Sequence, residues 1–346
     1  MAPKLPLDLE SELHAAALDL RRAEPWKLIA NTHYLLIAEP DGGRRAVAVL
    51  GNGGQQYGVQ SYAASCAAQW LVLVEELSRV NLASPTIIYE LLEGQEVEFT
   101  SKKELDGPDI ARAMRCGHQP PPRSRHAWPR FRAFRLNRFP WHVDESAARI
   151  LLSDLRRATR WAELASTLQW PDLDQPVALR KLPVVAAGLP TGRPWSQADL
   201  TWERLTMPPV PKVPRVVFDP ASTAAWQTCP VDPELEVFVD ERAPLIRIGD
   251  GGAGGAPHFP RLGLCLDNRT GMILGHQMGT SDDAFGSSTL RTLEIVLATL
   301  GRRPAVVMFV NPNLQQALEP WLNAAGLPGK QVKPSRQLEE IWSLLS

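Results

Sequence analysis

Long apolar runs, paired cysteines and a surplus of charge of either sign are all missing from this sequence. No stretch approaches the roughly 20 apolar residues a membrane-spanning helix needs, so no helical membrane span is expected. The formal net charge is −1. The chain as a whole therefore exerts no electrostatic pull on nucleic acid or anionic lipid, and any such attraction has to be local. The four cysteines, Cys66, Cys116, Cys229 and Cys265, stand apart with no C-x-x-C pair. That speaks against a zinc knuckle or a disulfide framework, and for reduced thiols in a cytoplasm. The opening residues, MAPKLPLDLESEL, are acidic and lack the apolar core of a signal peptide. G-x-x-x-x-G-K-[ST], H-E-x-x-H and G-x-S-x-G do not occur, which sets aside P-loop ATPases, zincin proteases and α/β-hydrolases. The seven histidines are dispersed. Carboxylates at ligand spacing do not accompany His118, His126 and His142, so no metal site is assigned and no cofactor is expected.

What is present is the make-up of an ordinary globular chain. A length of 346 residues suggests two domains, at about 100–200 residues each. Hydrophobic residues make up 44% and charged residues 22%, enough apolar material for cores that need no covalent staple. The 31 prolines imply many fixed turns and short elements.

The first part reads as an α+β domain, residues 1–207, built on an antiparallel meander with helices. Leu9, Leu13, Ala16, Ala17 and Leu20 recur at helical spacing over 8–22. Strand-like runs at 33–38, 44–51 and 56–62 are separated by Asp41-Gly42-Gly43 and Asn52-Gly53-Gly54, both turn signals. A helix over 64–80 follows, then strands at 86–92 and 96–100, and a short helix at 108–115 with Pro108 in its first turn. Asp144 is placed to cap a helix over about 145–168, and segments 177–187 and 199–206 can pair as a hairpin. The stiff stretch MPPVPKVP can be neither helix nor central strand; residues 208–214 are read as a linker.

The second part, 215–346, reads as an α/β domain. Strands are expected at 216–219 and 234–240, the latter with Glu236, Phe238 and Asp240 on one face. Gly249-x-Gly251-x-x-Gly254 has the letters of a dinucleotide fingerprint. Proline, histidine and a strand follow it where a helix would have to receive a pyrophosphate, so it reads as a hairpin loop. A hairpin (261–267, 272–278), a helix opened by Thr280 and Asp283, a buried strand (305–310) and a helix opened by Asn311-Pro312 come next. A short strand (331–333) and a last helix capped by Ser335 complete the order.

Arginine and aromatics interleave over 118–141 (HQPPPRSRHAWPRFRAFRLNRFPW). Arg125, Trp128, Arg130, Arg132, Arg135 and Arg138 could hold phosphates and stack bases. The same pattern also suits a strand with one apolar and one basic face, its arginines paired with the acids of 90–109. Packing is the preferred reading, because the chain is not basic overall.

The element order of the second part, with LCLDNRTGMILGHQM and AVVMFVNPN within it, resembles the integrase-type RNase H-like fold. That resemblance implies two Mg²⁺ ions held by carboxylates of the first strand, the fourth strand and the last helix, working on phosphodiesters. Carried over, the first acid is Glu236 or Asp240 and the third is Glu339 or Glu340. The second position holds Asn311, which is neutral and also suits a helix cap. The chain also resembles a bacterial family of two-part proteins of unknown function. AVAVLGNGGQQYGVQSY, VEFTSKKELDGPDI and HAWPRFRAFRLNRFPWHVDE carry that likeness, and it implies no reaction. The expected function is a cytoplasmic, non-catalytic binding or scaffold protein with a degenerate RNase H-like domain and an unidentified partner, a protein among the candidates. A metal-dependent nuclease and a nucleic-acid binder are the alternatives.

Overall fold

The computed structural model describes residues 2–79, 92–120, 124–168, 170, 175–207, 213–244, 246–249, 256–280 and 282–345. The chain divides into two compact units, the first holding the described residues to Met207 and the second those from Val213, Ala256 apart.

The first unit is a seven-stranded mixed sheet in the order β5-β4-β3-β2-β1-β6-β7. Its strands are β1 (Tyr34–Ala38), β2 (Arg44–Leu50), β3 (Tyr57–Tyr62), β4 (Gly94–Thr100), β5 (Trp128–Phe134), β6 (Lys181–Ala186) and β7 (Thr201–Arg204). Every pairing is antiparallel except β1 with β6, which is parallel. The turns at 41–43 and 52–54 join β1 to β2 and β2 to β3, as their glycines predict. The strand expected at 86–92 falls almost wholly outside the described residues.

Side-chain alternation along the strands gives this sheet two apolar faces. Leu35, Ile37, Val47, Val49, Val97, Phe99 and Phe131 meet α1 (Leu7–Ala23) and a long helix at Glu145–Ala165. Leu36, Ala46, Ala48 and Val184 face the opposite way, against α2 (Ala67–Arg79). The short α3 (Gly107–Arg115) comes next in the chain, and the long helix is α4. Asp106 and Asp144 start these two helices, accepting hydrogen bonds from Asp109 N and Ala147 N at 2.9 Å each. Trp161 of α4 is fully buried, so truncating it would cost about 3–5 kcal/mol.

The second unit is a five-stranded sheet in the order β10-β9-β8-β11-β12. Its strands are β8 (Val231–Arg242), β9 (Arg261–Asp267), β10 (Ile273–Gly279), β11 (Arg303–Phe309) and β12 (Gly329–Gln331). β9 runs antiparallel to both its neighbours, and β11 is parallel to β8 and to β12. One face is covered by α6 (Ser287–Leu300) and α7 (Pro312–Ala325), which bury Val237, Val239, Cys265, Val307 and Phe309. The other is covered by α8 (Arg336–Leu345), whose Leu338 and Trp342 pack on Phe238, Leu264, Leu266 and Met308. β11 is thus apolar on both faces, which explains its unbroken run.

Three expectations are corrected. Residues 216–219 are not a strand: Asp219 accepts from Ala221 N at 2.9 Å and caps α5 (Pro220–Thr228). Asp283 does accept from Thr280 N, at 2.7 Å, but this closes a separate turn, and α6 starts only at Ser287, with Gly286 as its N-cap. The expected strand at 331–333 lies earlier, at Gly329–Gln331. Ile248 and His258 form an antiparallel bridge, while the glycine-rich loop between them, residues 250–255, lies outside the described residues.

Candidate functional site

β8 sends successive side chains to opposite faces of its sheet, and its last three residues are all charged. After Phe238, that alternation directs Asp240 and Arg242 toward the α8 side. Asp240 is 3% exposed. Its carboxylate accepts from Arg242 Nε at 2.9 Å, Trp342 Nε1 at 3.0 Å and Glu241 N at 3.0 Å. Arg242 also donates to both oxygens of Glu339, at 2.6 and 3.3 Å, and its guanidinium lies 5.1 Å from the Trp342 ring centre. Strand end and last helix are therefore joined by one guanidinium held between two carboxylates. Burial raises the Asp240 carboxyl above the usual carboxylate range, against the pull of Arg242. The hydrogen bonds from Arg242 hold Glu339, which is more exposed, below that range.

The other residues expected at this site lie apart. Glu236 is exposed and accepts from Asn268 Nδ2 at 2.9 Å. Glu340 pairs with Arg336 one helical turn earlier, at 2.7 Å. Asn311 caps α7, accepting from Asn313 N at 2.9 Å. These donors do not fit a pair of Mg²⁺ ions. The two acids that converge already share a cation, and the residue between them in the expected triad is an amide committed to its helix. A Mg²⁺ ion would have to displace Arg242 and strip Asp240 of an indole N–H and a backbone N–H.

Glu241, on the opposite face of β8, was not singled out in the sequence. It is 4% exposed and accepts from Gly286 N at 2.9 Å and Thr289 N at 3.0 Å. It thereby supplies the carboxylate that the start of α6 lacks locally. Arg242 was missed as well. Both sit at a strand end where adjacent charges look like ordinary solvated residues.

In the first unit, the arginines of β5 are engaged. Trp128 is 3% exposed, with Lys102 Nζ 5.6 Å from its ring centre. Arg130 is ion-paired with Glu98. Arg132 grips Asp109 with two bonds, at 2.9 and 2.6 Å. Arg135 pairs with Asp144 at 2.6 Å, Arg138 donates to the Ala256 carbonyl at 3.5 Å, and Arg125 is exposed. Asp106, Asp109 and His142 bring ligand atoms within 4.8 Å of one another. Arg132 lies against both carboxylates, and His142 Nε2 is 3.0 Å from Asp106. Burial works to raise the Asp109 carboxyl, but hydrogen bonds from His142 and Arg132 outweigh it and hold the group well below its usual range. The cluster is an ion network that ties α3 to β5.

A cleft of about 760 Å³ opens elsewhere in the first unit, between the end of α1, the β2–β3 turn, His118 and His126. Four separate segments build it, and the sequence marked its turn and named His118 and His126 without bringing them together.

Residues 11–175 match the family model of a domain of unknown function, DUF7309, and residues 230–346 match that of a second, DUF6930. No curated protein matches the chain. The two matches are consistent with a two-domain protein of a family without assigned function. Among the described residues, no helix is long and apolar enough to cross a membrane.

Proposed function

We propose that the chain is a non-catalytic binding or scaffold protein whose second unit is an RNase H-like domain with an arginine in place of metal ions. The fold reading is supported by the sheet of the second unit. Three strands form a meander, the first of them then pairs in parallel with the fourth, and the fourth with the fifth. β9 is the one strand running against the others, and helices follow the third, fourth and fifth strands. The site reading rests on one observation: Arg242 joins Asp240 to Glu339. In the two-metal scheme, carboxylates from the first strand and last helix are bridged by divalent cations. Here a side chain supplies the bridging positive charge permanently, and a guanidinium cannot activate water or exchange ligands.

Four cysteines scattered along the sequence with no C-x-x-C pair suit a reducing cytoplasm, and the bacterial two-part family it resembles is the proposed kinship. The test is a cleavage assay of the purified chain on single- and double-stranded DNA and RNA with Mg²⁺ or Mn²⁺. No cleavage is expected. Cleavage that disappears in Asp240→Asn would overturn the proposal.

A further inference from the structure

The first unit's cleft has the chemistry of a receptor for a small anion that carries a planar ring. Its cations are unequally used. Arg22 pairs with Asp19 at 2.7 Å and Lys27 with Glu24 at 2.5 Å, whereas no carboxylate pairs with Arg21 among the described residues. Among the described lining residues Glu24 is the one acid, against Arg21, Arg22 and Lys27. The cleft is therefore locally positive on a chain of net charge −1, and Arg21 is free to take an anionic oxygen.

The wall beside these cations is aromatic. Tyr57 meets Trp26 edge-to-face at 5.1 Å and His126 at 4.8 Å. The β2–β3 turn can approach these rings only because residue 51 is glycine. Its φ is 135°, and a Cβ there would lie 2.7 Å from Tyr57 Cδ1 and 2.8 Å from Trp26 Cβ. His126 is held in the left-handed region at φ 51° by a bond from Nδ1 to the Phe99 carbonyl at 3.1 Å. His118 likewise uses Nε2 on the Ala127 carbonyl, at 3.0 Å. A carbonyl only accepts, so each ring donates an N–H there, and in the neutral imidazole the other nitrogen is an acceptor. With the Asn52 amide at the turn, the cleft offers both acceptors and donors for hydroxyl and amino groups. Its volume falls in the range of small-molecule sites, about 300–1,000 Å³.

We infer that this cleft binds a mononucleotide-class ligand, with Arg21 on the phosphate and the Trp26–Tyr57–His126 wall beside the base. The inference gives the proposed binding protein a ligand class, and it stands independently of how the second unit is read. Nuclease activity in the second unit would overturn that proposal and leave this one untouched.

The experiment is calorimetric titration of the full chain with the four ribonucleoside 5′-monophosphates. Adenosine, inorganic phosphate and an eight-nucleotide RNA are the comparison arms. At least one monophosphate should bind saturably. Arg21→Ala should weaken it tenfold or more and Asn52→Ala should weaken it measurably, with the thermal melts of both variants unchanged. Adenosine and phosphate alone should each bind more weakly than that monophosphate. No saturable binding of any monophosphate, unchanged affinity in Arg21→Ala, phosphate binding as tightly as the nucleotide, or RNA binding without monophosphate binding would each overturn the inference.

Discussion

Replacing Arg242 by methionine removes the guanidinium and keeps most of the aliphatic packing on Trp342. Asp240 would then keep only the Trp342 and Glu241 N–H groups. Truncating one partner of a fully buried ion pair costs about 3–5 kcal/mol. Asp240 is buried, but the Arg242 side chain is 32% exposed, so water reaches the pair and the cost falls. The Glu339 arm is 48% exposed and adds at most about 1 kcal/mol. The expected loss in the second unit is about 2–4 kcal/mol at pH 7.5. It should shrink on acidification. Burial already raises the Asp240 carboxyl, and losing Arg242 raises it further. The native variant then binds a proton that the unfolded chain releases, and lower pH favours the fold. Hydrogen exchange in β8 and α8 at pH 7.5 and 5.0, corrected for intrinsic rates, reads this directly, with first-unit amides as the internal control. Unchanged protection at both pH values, or an equal loss at both, would refute the reasoning.

Three further outcomes follow from other buried groups. Asp154 is fully buried, with Arg45 Nη1 and Ser61 Oγ at 2.5 Å and Arg157 Nη1 at 3.3 Å; Asp154→Ala leaves two guanidinium groups without it and should cost about 3–5 kcal/mol, read as a fall in Tm of the first unit. Burial, aided by the nearby His118 and Arg112, pushes the His14 imidazole down to about 3. The unfolded chain takes up that proton first as pH falls, so stability should be full above about pH 6.5 and decline toward pH 3, by about 2 kcal/mol at pH 5, and urea melts of His14→Phe should lack this slope. At Gly263 a Cβ would lie 2.6 Å from the Ser288 carbonyl carbon and the Thr289 nitrogen. Gly263→Ala should therefore push α6 off β9 and cost about 1–3 kcal/mol in thermal melts of the second unit, with the first unit unaffected.

Much of this fold was readable because its signals are local. Period-2 runs between glycine turns mark β1 to β3, and the unbroken apolar run of β11 marks a strand covered on both faces. α5 was missed because Ala221, Ser222, Thr223, Ala224 and Ala225 carry almost no hydrophobic periodicity; its evidence is the cap at Asp219 and the proline after it. The start of α6 was misplaced because its capping carboxylate, Glu241, comes from β8, 45 residues away from Gly286. The candidate site shows the same limit. Alternation put Asp240 on a face with Phe238, yet nothing local told which helix covers that face, or that Arg242 would reach Glu339, 97 residues on. The interleaved arginines were read as pairing with acids of 90–109; Arg130 and Arg132 do so through Glu98, Asp106 and Asp109.

The central claim, that Arg242 supplies the charge a metal would supply elsewhere, is tested most directly by calorimetric titration of the purified chain with Mn²⁺, in parallel with Arg242→Met. The account predicts no saturable Mn²⁺ site at the Asp240–Glu339 pair of the native protein. A saturable site there that is lost in Asp240→Asn, with Arg242 still in place, would contradict it.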